Sequence, residues 1–313
     1  MNKDIFIKAD YVDFTTPAFC IMQRVISFHD HALLNNFGLS LSYSAYKNIS
    51  EESEHSHDFL ELVVVTHGSG IHNFNGEKFK LSAGNIFLIM PGIAHSYINE
   101  DNLELYSYLF FADFLDHFRS ELELISGYHL LFSLEPIMGM EKRMSGNLYI
   151  PPPILNKVID LCQTIRQCFQ EQLPGCRVEI FSDFLKILIL LSRNCEVYNK
   201  YSLHYHYAQE ISKILSYIEL NYQQEMSLES LARSLHMSPS NFRRVFAETT
   251  GCSPIRYIID LRLKKAAKQL LENRRDTVQR IAFSAGFQDS NYFSHQFRNY
   301  FGCSPLQYRK RHN

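Results

Sequence analysis

The stretch from Ser227 to Tyr257 is written a second time from Thr277 to Tyr308. Ser227-Leu-Glu-Ser-Leu-Ala-Arg-Ser-Leu lies fifty residues before Thr277-Val-Gln-Arg-Ile-Ala-Phe-Ser-Ala, and Gly251-Cys-Ser-Pro lies fifty-one before Gly302-Cys-Ser-Pro. The extra residue falls between the two periodic segments of the second copy, so a turn is the variable part and helices are the repeated part. Two copies are too few for a solenoid, which needs about three or more units to bury its faces. The duplication therefore predicts a two-lobed helical domain.

Each copy reads as a helix, a tight turn and a second helix. Leu228, Leu231, Ala232 and Leu235 follow the spacing of one buried helical stripe, and Val278, Ile281, Ala282 and Ala285 repeat it. Ser227 and Thr277 stand where N-caps belong. The second helices carry Phe242 with Phe246 and Phe293 with Phe297, one turn apart and core-facing. On a wheel of about 100° per residue the opposite side presents Ser240 and Arg244, flanked by Asn241 and Arg243. In the second copy it presents Asn291, His295 and Arg298, flanked by Tyr292 and Ser294. Arginine forks, side-chain amides and short hydroxyls are the groups that hydrogen-bond base edges and phosphates. A merely solvated face is the ordinary reading of a polar stripe, and charge decides against it. From Tyr207 onward there are 16 Lys and Arg against 9 Asp and Glu, net +7, whereas the first 206 residues hold 15 against 24, net −9. A basic lobe supplies sequence-independent attraction to phosphates, and an acidic remainder is a poor DNA surface.

Residues 207–313 resemble the DNA-binding domain of AraC/XylS family transcription regulators. The resemblance rests on Ser227 to Leu235, Ser238-Pro-Ser-Asn-Phe-Arg-Arg-Val-Phe246, Ile281-Ala-Phe-Ser-Ala-Gly-Phe-Gln-Asp-Ser-Asn-Tyr-Phe-Ser294, the two Gly-Cys-Ser-Pro turns and Tyr308-Arg309. It implies two helix-turn-helix units, 227–250 and 277–301, joined by a long helix from about Pro254 to Glu272 and entering successive major grooves about 34 Å apart. By the resemblance, Ser240, Asn241, Arg243, Arg244, Asn291, Tyr292 and His295 fall at base-reading positions and Arg298 at a phosphate contact. His295 stands where relatives often have arginine, which implies weaker direct readout in the second copy. RNA polymerase is the further partner implied. Asp289 is either a polymerase-facing acid or the N-cap of the second reading helix.

The first third has another pattern. Between Phe37 and Leu109 short apolar runs alternate with turn signals, among them His67-Gly-Ser-Gly70, Asn75-Gly76, Ala83-Gly-Asn85 and Pro91-Gly92, which predicts a small antiparallel barrel or jelly roll. His55, His57 and Glu61 share strand parity and hence one face. His-x-His-x3-Glu-x6-Gly resembles the first cupin motif in full. The second is matched at Gly84, Gly92, His95 and Asn99, with Met90 in the usual proline position and Pro91 one place late. The resemblance implies His55, His57, Glu61 and His95 as ligands of a divalent transition metal such as Zn, Fe, Mn or Ni, or else a metal-free polar pocket.

Pro151-Pro-Pro153 opens one apolar-striped helix, Pro174-Gly175 breaks the chain, and a second runs to about Arg193; the stripes predict packing against the barrel or a homodimer seam. Asn194 to His206 reads as a hinge. The fold class is thus α+β and multidomain: an antiparallel barrel of cupin or jelly-roll type at 1–135, a helical connector with the dimerisation region and hinge at 136–206, and an all-α DNA-binding domain at 207–313. Seven cysteines without a Cys-x-x-Cys pair suit reduced thiols and a cytoplasmic location, and no run of eighteen apolar residues predicts a membrane span. Two functions compete: a transcription activator responding to a small molecule, or a cupin metalloenzyme, an isomerase or dioxygenase, fused to a DNA-binding domain. His57-Asp-Phe-Leu-Glu-Leu-Val-Val-Val, Gly70-Ile-His-Asn-Phe-Asn-Gly76 and Asp289-Ser-Asn-Tyr-Phe-Ser294 are most similar to activators of rhamnose operons. That implies a sugar effector, with His72, Asn73 and Tyr97 as hydroxyl partners beside the histidines.

Overall fold

The computed structural model describes residues 24–26, 39–45, 53–136, 148–171, 173–197, 203–273 and 275–312; Cys20 and part of the expected hinge, 198–202, lie outside them. Nine strands form one sheet: β1 (Arg24–Ile26), β2 (Leu39–Ala45), β3 (His55–His57), β4 (Leu60–Phe74), β5 (Glu77–Ser82), β6 (Asn85–Ile89), β7 (His95–Phe110), β8 (Leu148–Tyr149) and β9 (Glu196–Val197). Every pairing is antiparallel except β1 with β3. The long pair β4 and β7 is common to two half-sheets. At its 60–67 and 104–110 end it is flanked by β6, β8 and β9 on one side and by β2 on the other. At its 69–74 and 95–101 end β5 and β3 flank it.

Register shifts between Val65 and Gly70 separate the two ends, and bulges of this kind bend a strand and increase its twist. Gly68 holds φ +73° there, and a Cβ on it would run into the Asp101 and Asn102 carbonyls. Asn75 and Gly76, both at positive φ, form the expected two-residue turn between β4 and β5.

Alternation along the strands gives the sheet two apolar faces. Val63, Val65, Phe87, Ile89, Tyr97, Leu103 and Leu105 pack together on the inner one. Leu60, Leu62, Val64, Ile86, Leu88, Tyr106, Tyr108 and Phe110 face outward into a second core. That core is closed by α1 (Pro152–Glu171) through Leu155, Val158, Cys162 and Ile165, and by α2 (Cys176–Asn194) through Ile180, Phe184, Ile187, Leu188 and Leu191. The connector helices thus bury their apolar stripes against their own sheet. The expected hinge is also partly structured: Glu196–Val197 pairs with β8, and α3 (Leu203–Asn221) begins soon after.

Helical turns at Arg119–Leu122 and Ser126–His129 lead into a π-helical stretch, Leu130–Leu134, an element that is rare and concentrated at functional sites. Leu130, Leu131 and Leu134 join the outer core, and so do Ala208, Ile211, Leu215 and Ile218 of α3. The same core continues into the first helix-turn-helix, α4 (Leu228–Ser234) and α5 (Pro239–Thr250), through Leu231, Phe242, Val245 and Phe246. The 19-residue helix α6 (Pro254–Glu272) belongs to both lobes. Ile258 and Leu261 pack in the first, while Leu263, Ala266, Ala267 and Leu270 pack in a separate core with α7 (Val278–Ser284), α8 (Ser290–Phe301) and α9 (Pro305–Arg311).

Glu135 follows the π-helical stretch, 3% exposed, with its carboxylate accepting from the Leu88 N–H at 3.4 Å. Burial pushes its pKa from 4.5 up to about 8, and the Leu88 hydrogen bond offsets that only in part. For an acid raised in this way the folded state holds its proton over a range where the unfolded chain has lost it. Its stability contribution is complete below pH 4.5 and is lost as pH rises toward 8. Glu135→Gln keeps the neutral amide at every pH. Thermal melts from pH 4.5 to 8 are therefore expected to fall less steeply in this variant than in wild type; parallel curves would show that Glu135 ionises freely.

Candidate functional site

Three elements converge at the inner face of the sheet. His57 closes β3, and the Gly92 N–H bonds its carbonyl at 2.8 Å, which brings the β6–β7 turn alongside. Glu61 stands on β4 in parity with Val63 and Val65, and His95 begins β7. His57 Nε2 lies 3.0 Å and His95 Nε2 3.4 Å from the same oxygen of Glu61, and one ligand atom from each of the three residues falls within 4.8 Å of the others.

The second nitrogen of each ring explains what this arrangement demands. His57 Nδ1 lies 2.8 Å from the Phe59 carbonyl and His95 Nδ1 3.2 Å from the Ile93 carbonyl. A carbonyl only accepts, so Nδ1 carries the proton and a neutral ring turns a bare lone pair on Nε2 toward Glu61. Two acceptors at 3.0 Å repel unless a cation, either a proton or a metal ion, lies between them. Burial acts to raise the Glu61 pKa, but hydrogen bonds and charge from His57 and His95 hold it well below the ordinary value. Backbone anchoring of Nδ1 is also the outer-shell arrangement that orients metal-binding imidazoles.

His55, the fourth residue of the expected ligand set, stands outside this close trio. Its ring packs on His95 with centroids 4.3 Å apart, and its Nδ1 lies 3.1 Å from the Ser53 carbonyl. Strand parity places residues 55 and 57 on one side, but the chain bends at Asp58 and Phe59 before β4 begins, and β4 delivers Glu61 to His57. Asn99 is structural: its Oδ1 accepts the Leu103 N–H at 2.9 Å and secures the β7 bulge.

His72 pairs with Tyr97 across β4 and β7. Its ring lies between Tyr97, at 5.0 Å and 15°, and Phe87, at 4.6 Å and 26°, with His95 6.1 Å away. It is 0% exposed, and among the described residues neither ring nitrogen has a hydrogen-bond partner. Burial first, then the charge of His95, pushes its pKa down to about 3 against the opposing pull of Glu61. A buried polar group left unpaired costs about 1–3 kcal/mol, so His72 is an unfavourable residue for packing and a suitable one for meeting a ligand.

At the other end of the molecule, Ser240, Arg243, Arg244, Asn291, Tyr292, His295 and Arg298 are exposed and Asn241 is half-buried, opposite the fully buried Phe242, Phe246, Phe293 and Phe297. Ser227, Ser238, Thr277 and Asp289 cap their helices, each side chain accepting a backbone N–H three residues on. Asp289 is thus engaged as an N-cap, at 2.6 Å from the Tyr292 N–H. The Arg244 guanidinium lies along α5, donating to Glu248 at 2.7 and 2.9 Å and to Asn241 at 2.9 Å. Sequence reasoning passed over two structural arginines. Arg262 donates to the Tyr222 and Gln224 carbonyls at 2.7 Å, and Arg309 to those of Leu270 and Asp276 at 3.2 and 2.9 Å, so both tie α6 to neighbouring loops.

A two-lobed helix-turn-helix domain sharing a core with a sheet that holds a buried polar site defines a DNA-binding regulator with its own ligand-binding domain. A model described as the AraC-like ligand binding domain matches residues 38–183, and one described as a helix-turn-helix domain matches 231–311. The HTH-type transcriptional activator RhaS of Escherichia fergusonii is 32% identical over 259 residues, 82% of this chain and 87% of that protein. The activator RhaR of Mannheimia succiniciproducens is 30% identical over 298 residues, 87% of this chain and 97% of that protein. A solved transcriptional regulator with an AraC-type DNA-binding domain, from Chromobacterium violaceum, is 25% identical, covers 33% of this chain and 91% of that one, and has a TM-score of 0.31. The chain belongs to the AraC/XylS family of transcription regulators. Among the described residues no helix is long and apolar enough to cross a membrane.

Filling the slot of His72 with a ring that needs no hydrogen bond separates packing from function. His72→Phe is expected to raise the melting temperature of the full chain, by an amount corresponding to about 1 kcal/mol, while weakening the response to any effector that uses the site. A fall in melting temperature would show that the imidazole has partners of its own.

Proposed function

We propose that the chain is a transcription activator whose hold on promoter DNA is set by a small polyhydroxylated molecule, a sugar, bound at the inner face of the sheet. The observation that carries this reading is His72, a fully buried imidazole with one donor and one acceptor unused, beside the carboxylate of Glu61. A neutral imidazole and a carboxylate match hydroxyl groups, and Phe87, Tyr97 and Ile89 match the apolar face of a sugar ring. The similarity to RhaS and RhaR activators supports the same choice. His57, Glu61 and His95 also suit a divalent transition metal, which would supply a Lewis-acidic point for a pair of hydroxyls. His55 stands beside it as a wall of the site.

The DNA side of the reading places Arg243 and Arg244 of α5 at base edges, with Ser240 and Asn241, and Asn291, Tyr292 and His295 of α8 at the second half-site. Arg298 goes to phosphate. RNA polymerase and a second copy of the chain complete the set of partners. The alternative, a metalloenzyme tethered to DNA, requires turnover of the molecule that the site binds; the regulator reading requires that it be released unchanged.

Two measurements test the proposal. Thermal-shift screening of the full chain against monosaccharides, L-rhamnose included, with and without Zn(II) or Ni(II), is expected to show stabilisation by at least one sugar that His72→Phe abolishes. A flat response to every sugar would end the carbohydrate reading. For the DNA side, Glu248 competes with bases for Arg244. Exposed pairs are worth about 0.2–1 kcal/mol, so Glu248→Gln is expected to tighten binding to a duplex selected from a random library by up to about fivefold. Weaker binding would mean that Arg244 does not read DNA.

A further inference from the structure

The outer edge of β6 carries a link that none of these assignments uses. Ile86 pairs with Leu148 of β8, and Gly84 on the same edge accepts the Ile150 N–H at 2.9 Å. Leu88, two residues on, turns its N–H to that edge beyond the end of β8, where the Glu135 carboxylate receives it at 3.4 Å. Glu135 thus stands in for a strand partner. The residues on either side of Leu88 face the inner site: Phe87 stacks on His72, and Ile89 is in register with Glu61. Glu135 directly follows the π-helical Leu130–Leu134, which touches β6 and also α3 and α5. Leu130, Leu131 and Leu134 are 1%, 0% and 1% exposed, so one face of this segment is close-packed against its neighbours.

We propose that Glu135 is a positioning residue that couples occupancy of the sheet interior to the first helix-turn-helix, by tying the β6 wall of that site to the segment on which α3 and α5 rest. The coupling rests on the proposed effector reading. A ligand that engages His72 displaces Phe87, which shares its strand with Leu88. The Glu135 hydrogen bond passes that movement to Leu130–Leu134, and the packing of α3 and α5 on this segment passes it to the reading helix. The second lobe, whose core is separate, receives it only through α6.

The test compares Glu135→Leu, which lacks an acceptor, with Glu135→Gln, whose amide oxygen still accepts from Leu88, using full-length protein, L-rhamnose and a duplex selected from a random library. In wild type the sugar is expected to change duplex affinity by about fivefold or more. Glu135→Leu is expected to keep the thermal shift with sugar and its sugar-free duplex affinity, yet to lose the sugar-induced change. Glu135→Gln is expected to retain it. A wild-type response in Glu135→Leu, or equal loss in both variants, would overturn the link.

Coupling is reciprocal, so a second measurement needs neither variant nor sugar. Amide exchange at Leu88 in the wild-type protein is expected to change by about fivefold or more on adding the duplex, and an unchanged rate would overturn the proposal even if Glu135→Leu fails to fold. If L-rhamnose has no effect on wild type but the duplex alters Leu88 exchange, the sugar reading fails and the link stands.

Discussion

Everything in this molecule that is not the second DNA-binding lobe depends on the pairing of β4 with β7. Because side chains alternate along a strand, this one ladder presents His72, Glu61 and Tyr97 to an inner site and Leu62, Val64, Tyr108 and Phe110 to the helices outside. A slip of one residue would exchange the two sets, placing the carboxylate among leucines and the leucines beside the histidines. The bulged stretch around Gly68 permits one continuous pair of strands to serve both half-sheets. The fold therefore contains no separate layer between the site and the core that supports DNA binding; the two are opposite faces of one ladder.

The two helix-turn-helix lobes are consequently unequal despite their common pattern. The first shares its core with the sheet through α3, and Lys265 reinforces the junction by pairing with Glu219 of α3 at 3.0 Å and approaching Glu123 of the sheet domain at 4.0 Å. The second has its own core and meets the first along α6. At 1.5 Å per residue the 19 residues of α6 span about 28 Å, comparable with the groove-to-groove distance of about 34 Å on one face of DNA. A single rigid helix, fixed to its neighbouring loops by Arg262 and Arg309, therefore sets the separation of the two reading helices.

Local chemistry was legible in the sequence and long-range geometry was not. The caps Ser227 and Thr277, the core phenylalanines and the Asn75-Gly76 turn follow from side chains acting within a few residues of themselves, and each lies where its pattern places it; the bounds of α6 agree with what the family resemblance implied. Glu61, His57 and His95 could be grouped because a spacing motif encodes their convergence. The position of His55 outside the trio depends on the bend between β3 and β4, which parity alone does not specify. Glu196–Val197 was unreadable as a strand because two residues carry no period; β8 supplies the reason for its extension. Glu135 had one visible signal, a lone acid closing the apolar run Leu130 to Leu134, but its partner is 47 residues away and is a backbone N–H, which no sequence pattern records.

The buried polar groups bear on how such a fold can be both stable and responsive. His57 and His95 each spend Nδ1 on a backbone carbonyl, fixing their rings before any ligand arrives, so that binding costs little reorientation. Their Nε2 atoms converge on one oxygen of Glu61, and His72 lies in an aromatic slot with no hydrogen-bond partner among the described residues. An apolar residue at His72 would pack better, whereas one at Glu135 would leave the buried Leu88 N–H without its acceptor. The buried imidazole on β4 stacks on Phe87 of β6, and Leu130–Leu134 touches both β6 and the helices α3 and α5.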